Sequence, residues 1–354
     1  MSGNGNVNVG RRLVLGAVAG QDRGMRFLPL RSLLAAAVFS FVALAPSGLA
    51  AEAGGVTVAT GQSHQGWSDA VVIRNPVVEA VVVPSVGRVM QFRFVGEAER
   101  PFWENEKLVG KAMPQNPWQA NPGSFGGDKT WPAPQNLWNW PPPDVFDTAP
   151  LAVRVNDDRS VTLESPVSAR FGIKTVRKIT LDPVAPVMRI DTTYEKVSGN
   201  PTNVSVWVIT QLNEPVGIFV PVPKGSKFPT GAVSRPVWSP DHFKVEDSHG
   251  WLRYTRNPKA NHKTGTDGST MVWAGEKTLL RIDQPRVPDA TYPDDGRSLQ
   301  IYTNADPVPY VELETFSPRK EIKAGETLSA TNTYRLARRT GATVEQDVKA
   351  LLAQ

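Results

Sequence analysis

Glu312 and Glu314, two residues apart in Tyr310–Pro318 (YVELETFSP), and Lys129, in Phe125–Trp131 (FGGDKTW), are the side chains of this sequence best suited to moving protons. On a strand, residues two apart point to the same face, so both carboxylates can line one concave surface. There their mutual repulsion raises one pKa toward that of a general base at neutral pH; facing water, they are ordinary surface charge. Lys129 can meet a hydroxyl or a carboxylate, or close a surface ion pair with Asp128. The paired Gly126 and Gly127 before it allow a close approach of backbone.

The surrounding segment, Phe102–Pro150, is rich in Trp, Pro, Asn and Gly and reads as one long loop. A loop of this length inside a compact domain is functional or disordered, and five Trp argue against disorder. Indoles pack on the apolar faces of pyranose rings while carboxylates, amides and lysines meet the hydroxyls. Trp118, Trp131, Trp138 and Trp140 beside Asn121, Asp128, Lys129, Gln135 and Asp144 supply that mixture. The competing reading makes the tryptophans a core plug at one end of the fold. His64, His242, His249 and His262 fall in no metal-ligand spacing, and Cys is absent, so thiolate sites and disulfides are excluded. No metal and no cofactor are expected. Lys263-Thr-Gly265 with Ser317-Pro-Arg-Lys320 matches the penicilloyl-serine enzymes only in reversed order, with the serine ending a strand, and is set aside.

The elements that position these groups are strands. Period-2 or short β-rich runs separated by Pro, Gly, Asn and Asp predict strands at 70–74, 77–83, 88–95, 160–164, 169–181, 187–197, 203–213, 251–254, 270–274, 278–283, 298–303, 310–316 and 327–336. Such long alternating runs imply wide sheets stacked face to face. Val344, Val348, Leu351 and Leu352 are spaced for a short amphipathic helix at the C-terminus.

The net charge of +5 is not a polyanion-binding signal, because residues 1–50 hold five Arg against Asp22 alone and so carry four of the five charges. Nucleic acid is excluded as a partner on that ground. From Met25, the expected start, Arg26 and Arg31 precede an apolar run over Ser32–Ala45, a Pro-Ser-Gly break, and the small residues Gly48 and Ala50. This predicts a signal peptide cleaved after Ala50, an upstream extension before it, and one mature domain over 51–354 in the periplasm or outside the cell. No membrane association is expected after cleavage, since the run is shorter than the roughly 20 apolar residues of a span.

Asn75–Arg88 (NPVVEAVVVPSVGR) with Val89–Phe94, Gly126–Gln135 (GGDKTWPAPQ), Trp138–Asp147 (WNWPPPDVFD), Val206–Pro215 (VWVITQLNEP), and Tyr310–Pro318 followed by Lys323–Ser329 resemble the galactose mutarotase-like superfamily, in a branch of secreted bacterial proteins. The resemblance spans about 55–338. It implies an all-β supersandwich whose concave face binds a sugar, with Arg88, Asp128, Trp131, Trp138, Trp140, Asp144 and Gln211 as binding residues. It further implies that a late-strand Glu takes the proton of the anomeric hydroxyl: Glu314 by its place before an aromatic and Pro, or else Glu312. Where the superfamily's middle His is expected stands Gln211, which bonds a sugar but cannot act as a general acid; Lys129 is the candidate replacement. The expected function is carbohydrate binding with aldose anomer interconversion. The alternatives are a polysaccharide lyase or hydrolase using Glu314 or Glu312 with Lys129 or Asp128, and an interaction module in which Trp131, Trp138 and Trp140 are all buried.

Overall fold

Alternation decides which face each strand buries. Along Ile173–Leu181 the residues Ile173, Thr175, Arg177, Ile179 and Leu181 are buried and those between them partly exposed, as packing on one face requires. Val187–Lys196 and Thr327–Arg338 repeat the pattern. The computed structural model describes residues 55–111, 124–234 and 250–354. The expected upstream extension and signal peptide over 1–50, the expected cleavage after Ala50, Trp118, Asn121, His242 and His249 lie outside them.

Among the described residues the strands form two antiparallel sheets. The larger runs in the order β1 (Thr57–His64), β2 (Trp67–Arg74), β3 (Val78–Val83), β4 (Arg88–Phe94), β5 (Asp128–Ala133), β10 (Thr202–Asn213), β18 (Tyr310–Phe316), β17 (Leu299–Thr303), β14 (His262–Thr266), β12 (Val233–Ser234), with β19 (Lys320–Ile322) also beside β10. The smaller runs β13 (Trp251–Tyr254), β11 (Gly217–Pro221), β15 (Thr270–Ala274), β16 (Thr278–Asp283), β20 (Thr327–Arg338), β9 (Val187–Lys196), β8 (Ile173–Leu181), β7 (Val161–Glu164), β6 (Ala152–Val155). Ile73, Phe92, Leu212, Leu313 and Ile301 of the first sheet pack with Ile179, Ile190, Leu280 and Leu336 of the second in one core. The C-terminal helix Val344–Leu352 opens on a capping box between Thr343 and Gln346 and seats Val344, Val348 and Leu351 against Phe219, Trp251 and Leu279.

The expectation of one loop over 102–150 is corrected here, because Asp128–Ala133 is a strand in the middle of the larger sheet. Pro132 and Pro134 obscure it in sequence. Pro132 is tolerated because β5 pairs with β10 along its whole length but meets β4 only at Asp128, so the missing N–H faces no ladder. Gly126 and Gly127 bring the chain into that position at φ 95° and 71°; a Cβ would lie 2.0 Å from the Trp103 carbonyl oxygen at the first and 2.6 Å from that of Val89 at the second.

Alternation along β5 sends Asp128 and Lys129 to opposite faces. Asp128, expected to bind substrate, points between the sheets, where its carboxylate accepts from Arg177 of β8, Thr210 Oγ1 (2.6 Å) and Tyr334 Oη of β20 (2.6 Å). All its neighbours are buried, so the group ties the two sheets together. Asp128→Ala leaves a buried guanidinium without its counter-charge and is expected to cost about 3 kcal/mol in urea unfolding, whereas Asp128→Leu with Arg177→Met, which removes both charges, regains most of it. Equal losses in the single and double variants would contradict this account.

Candidate functional site

The side chains opposite to Asp128 in phase face away from the smaller sheet and meet across five strands. Cross-strand register sets Trp131 against Trp207, Gln211 against Glu312, Glu312 against Tyr302, and Tyr302 against Lys263. With Lys129, Ser124, Gln135, Trp140, Asp294 and Tyr310 they line a pocket of about 290 Å³, at the low end of the range for small-molecule sites.

Two similar units supply its charges. Asp147, at the end of the one-turn helix Asp144–Asp147, accepts through Oδ1 from Lys129 Nζ (2.9 Å), Trp131 Nε1 (2.8 Å) and Arg88 Nη2 (3.1 Å), and Lys129 Nζ also lies 4.0 Å from the centre of the Trp131 ring. Glu314 accepts from Lys263 Nζ (2.9 and 2.8 Å to its two oxygens) and from Trp207 Nε1 (3.0 Å), with Lys263 Nζ 4.8 Å from the centre of the Trp207 ring. In each unit a buried carboxylate fixes a lysine and an indole side by side, which holds an ammonium and an apolar ring face at the pocket wall in a set geometry. Burial works to raise the Asp147 carboxyl, but the Lys129 and Arg88 charges hold it below the ordinary carboxylate value. Burial, reinforced by Arg88, lowers the Lys129 ammonium despite Asp147.

Glu312 is the exception among these carboxylates, since no lysine hydrogen-bonds it among the contacts of the described residues. Gln211 Nε2 donates to its Oε1 (2.9 Å), Gln211 Oε1 accepts from Ser124 Oγ (2.6 Å), and Ser124 Oγ accepts from Arg88 Nη1 (3.1 Å). A hydrogen-bonded chain thus runs from Arg88 to Glu312. Burial, and then the neighbouring Glu314 charge, push the Glu312 carboxyl up to about 7, against the pull of Lys129 and Lys263. Burial and Glu312 also raise Tyr302 and Tyr310, keeping both phenols protonated at the rim.

Of the residues singled out in sequence, Lys129, Trp131, Trp140, Gln211 and Glu312 line the pocket. Glu314 and Arg88 stand directly behind it, each fully buried. Trp138 lies under Trp131, edge to face at 5.5 Å, with Nε1 donating to the Pro132 carbonyl (2.7 Å), and is core. Asp144 is exposed at the start of its helical turn, and Asp128 lies on the inner face of the sheet. The three tryptophans divide: Trp131 and Trp138 are buried and Trp140 is 54 % exposed. Asp147, Lys263, Trp207, Tyr302 and Tyr310 were missed. Asp147 closes the quoted Trp138–Asp147 segment and Lys263 belongs to the discarded Lys-Thr-Gly match, but neither spacing carries a signal, because their partners lie far off in sequence. Among the described residues no three His, Asp or Glu groups gather as metal ligands, and no helix is long and apolar enough to cross a membrane.

A family model described as "Domain of unknown function (DUF4380)" matches residues 69–337. The chain belongs to the DUF4380 family. Among curated proteins no sequence relative of it is found. Solved structures with this architecture include a galactose mutarotase-like protein from Lactobacillus casei ATCC 334, 10 % identical over 76 % of this chain and 100 % of that one with a TM-score of 0.51. A second, from Escherichia coli K12 and described as a "Putative aldose 1-epimerase", is 10 % identical over 80 % of this chain and 100 % of that one, with a TM-score of 0.52. The fold of this DUF4380 protein is therefore the galactose mutarotase-like β-sandwich, as the sequence resemblance implies; identity this low speaks to fold alone.

For Glu312 of this DUF4380 protein the shift has a definite sign. Its carboxyl rises from an ordinary 4.5 to about 7 on folding, so between those values the folded chain holds the proton more strongly than the unfolded one. The contribution to stability is present below about pH 4.5 and is lost as pH rises through 7. Glu312→Gln keeps an acceptor for Gln211 and removes the titration, so the variant is expected to gain on the parent by about 2 kcal/mol between pH 5 and pH 8 in denaturant unfolding. A difference independent of pH would show that Glu312 titrates normally.

Proposed function

We propose that this protein binds a carbohydrate in the Lys129–Glu312 pocket after export to the periplasm or cell exterior, and that it interconverts aldose anomers there. The observation that carries the reading is the convergence on one face of two indoles at the pocket wall, Trp131 and Trp207, with the hydroxyl-seeking groups Lys129, Lys263, Gln211, Tyr302 and Glu312. Fold likeness to a protein named as galactose mutarotase-like agrees with it by analogy only. Export is supported by the Arg26–Ala50 leader pattern in the sequence.

Glu312, half ionised near neutrality, is the group matched to accept the anomeric O1 proton. Lys129, its ammonium lowered by burial, is matched to donate one to the ring oxygen as the C1–O5 bond opens. Rotation about C1–C2 and the reverse transfers close the other anomer, with no net gain or loss of protons. Glu314, the first choice by position in sequence, is fully engaged by Lys263 and Trp207, and in this reading orients them.

The test is calorimetric and tryptophan-fluorescence titration with neutral, acidic and amino sugars, followed by polarimetry of a freshly dissolved anomer of any sugar bound. Trp131→Ala is expected to weaken binding about ten-fold or more. Glu312→Gln is expected to leave binding and to reduce anomer interconversion by about 10²-fold, and the parent rate should climb as pH passes through about 7. Binding with no acceleration by the parent would make the protein a sugar-binding module, an unchanged rate in Glu312→Gln would remove Glu312 as the base, and silence across the panel would favour an interaction module.

A further inference from the structure

The pocket does not end at Trp140. A second, more open space of about 540 Å³ is lined by Pro134, Gln135, Asn136, Asn139, Trp140 and Asp294, and it shares Gln135, Trp140 and Asp294 with the inner pocket, so the two are contiguous. We propose that this outer space is a second sugar subsite, and that the ligand is an oligosaccharide or glycoside of at least two units, one in the inner pocket and the next laid on Trp140. The proposal rests on the carbohydrate reading of the inner pocket.

Trp140 is 54 % exposed, while every other described Trp is 8 % exposed or less. Its exposed ring area borders the outer space, where an indole can meet the apolar face of a sugar ring. Its ring is nevertheless held, edge to face with Trp131 at 6.2 Å and an interplanar angle of 80°. The two rings thus stand at right angles, one walling the inner space and the other flooring the outer.

The rest of the shelf has the chemistry of hydroxyl recognition and not of anion recognition. Gln135, Asn136 and Asn139 offer side-chain amides and Asp294 a carboxylate, and the described lining residues include no Lys or Arg. An uncharged polyhydroxylated ring with one apolar face fits this set.

The shelf is also preformed. Arg170 donates to the carbonyls of Leu137 (2.6 Å) and Trp138 (3.5 Å), the Asn139 N–H donates to the Gln135 carbonyl (2.8 Å), and Gln300 Nε2 donates to Asp294 Oδ2 (2.7 Å). Asn139 and Asp294 both hold left-handed backbone, at φ 60° and 50°, which puts two sparsely populated conformations on the two lips of the same space. Groups ordered before binding lose little entropy on binding, so a second ring placed here adds affinity.

The experiment compares, by calorimetry on the purified protein, glucose with maltose and cellobiose, mannose with mannobiose, and galacturonic acid with its dimer. At least one disaccharide is expected to bind about ten-fold more tightly than its own monosaccharide. In Trp140→Ala, and separately in Asn136→Ala/Asn139→Gly, the ratio of the two dissociation constants is expected to fall to about one. Asn139→Gly keeps the left-handed backbone, so the second variant still reports if the first misfolds. Monosaccharide binding with no disaccharide advantage in the parent, or an advantage that survives in both variants, overturns the second subsite and leaves the inner pocket standing. Failure of every sugar to bind overturns the inner-pocket reading and the subsite with it.

Discussion

A strand of six residues, Asp128–Ala133, carries opposite duties on its two faces, and the rest of the molecule is arranged around that constraint. Inward, Asp128 gathers Arg177, Thr210 and Tyr334 and so locks the larger sheet to the smaller. Outward, Lys129 and Trp131 are gathered by Asp147. Both carboxylates are buried and would be unaffordable as lone charges; each is tolerable because three donors surround it. A shift of one residue in register would exchange the two faces and destroy the core and the pocket together.

The outer face depends on a cover that the sheet itself does not provide. Asp147 at the end of its helical turn and Trp140 of the Gln135–Trp140 shelf meet Lys129 and Trp131 on the outer face of β5, and the residues of β5 and most of β10 are buried on both faces. Under that cover the dielectric falls, so the loss of water and then the proximity of Glu314 raise Glu312, while Lys129 and Lys263 limit the rise. The same enclosure makes Gln211 a relay with both amide ends engaged, a role that a residue unable to serve as a general acid can fill.

Most strands were legible because alternation in Ile173–Leu181, Val187–Lys196 and Thr327–Arg338 reports a sheet with one buried face. Strands at 57–64, 128–133, 152–155, 217–221, 233–234, 262–266 and 320–322 escaped notice. Of these, Asp128–Ala133 contains Pro132, and His262–Thr266 (HKTGT) is polar throughout, yet it is largely buried under the pocket. These two belong to the site, where the demands of the ligand face override the usual pattern.

The sequence alone made an all-β sandwich with a C-terminal helix legible, with a near-neutral body behind a basic N-terminal stretch, and Lys129, Trp131, Trp140, Gln211 and Glu312 as residues worth attention. Only the tertiary structure decided which carboxylate faces the pocket, that Asp128 and Trp138 serve the core, and that Asp147, Lys263 and Trp207 complete the site. The physical reason is that strand phase orients each side chain locally, whereas a partner is chosen by cross-strand register between segments as distant as Trp207 and Glu314 or Lys129 and Ile209, and no local spacing encodes that register.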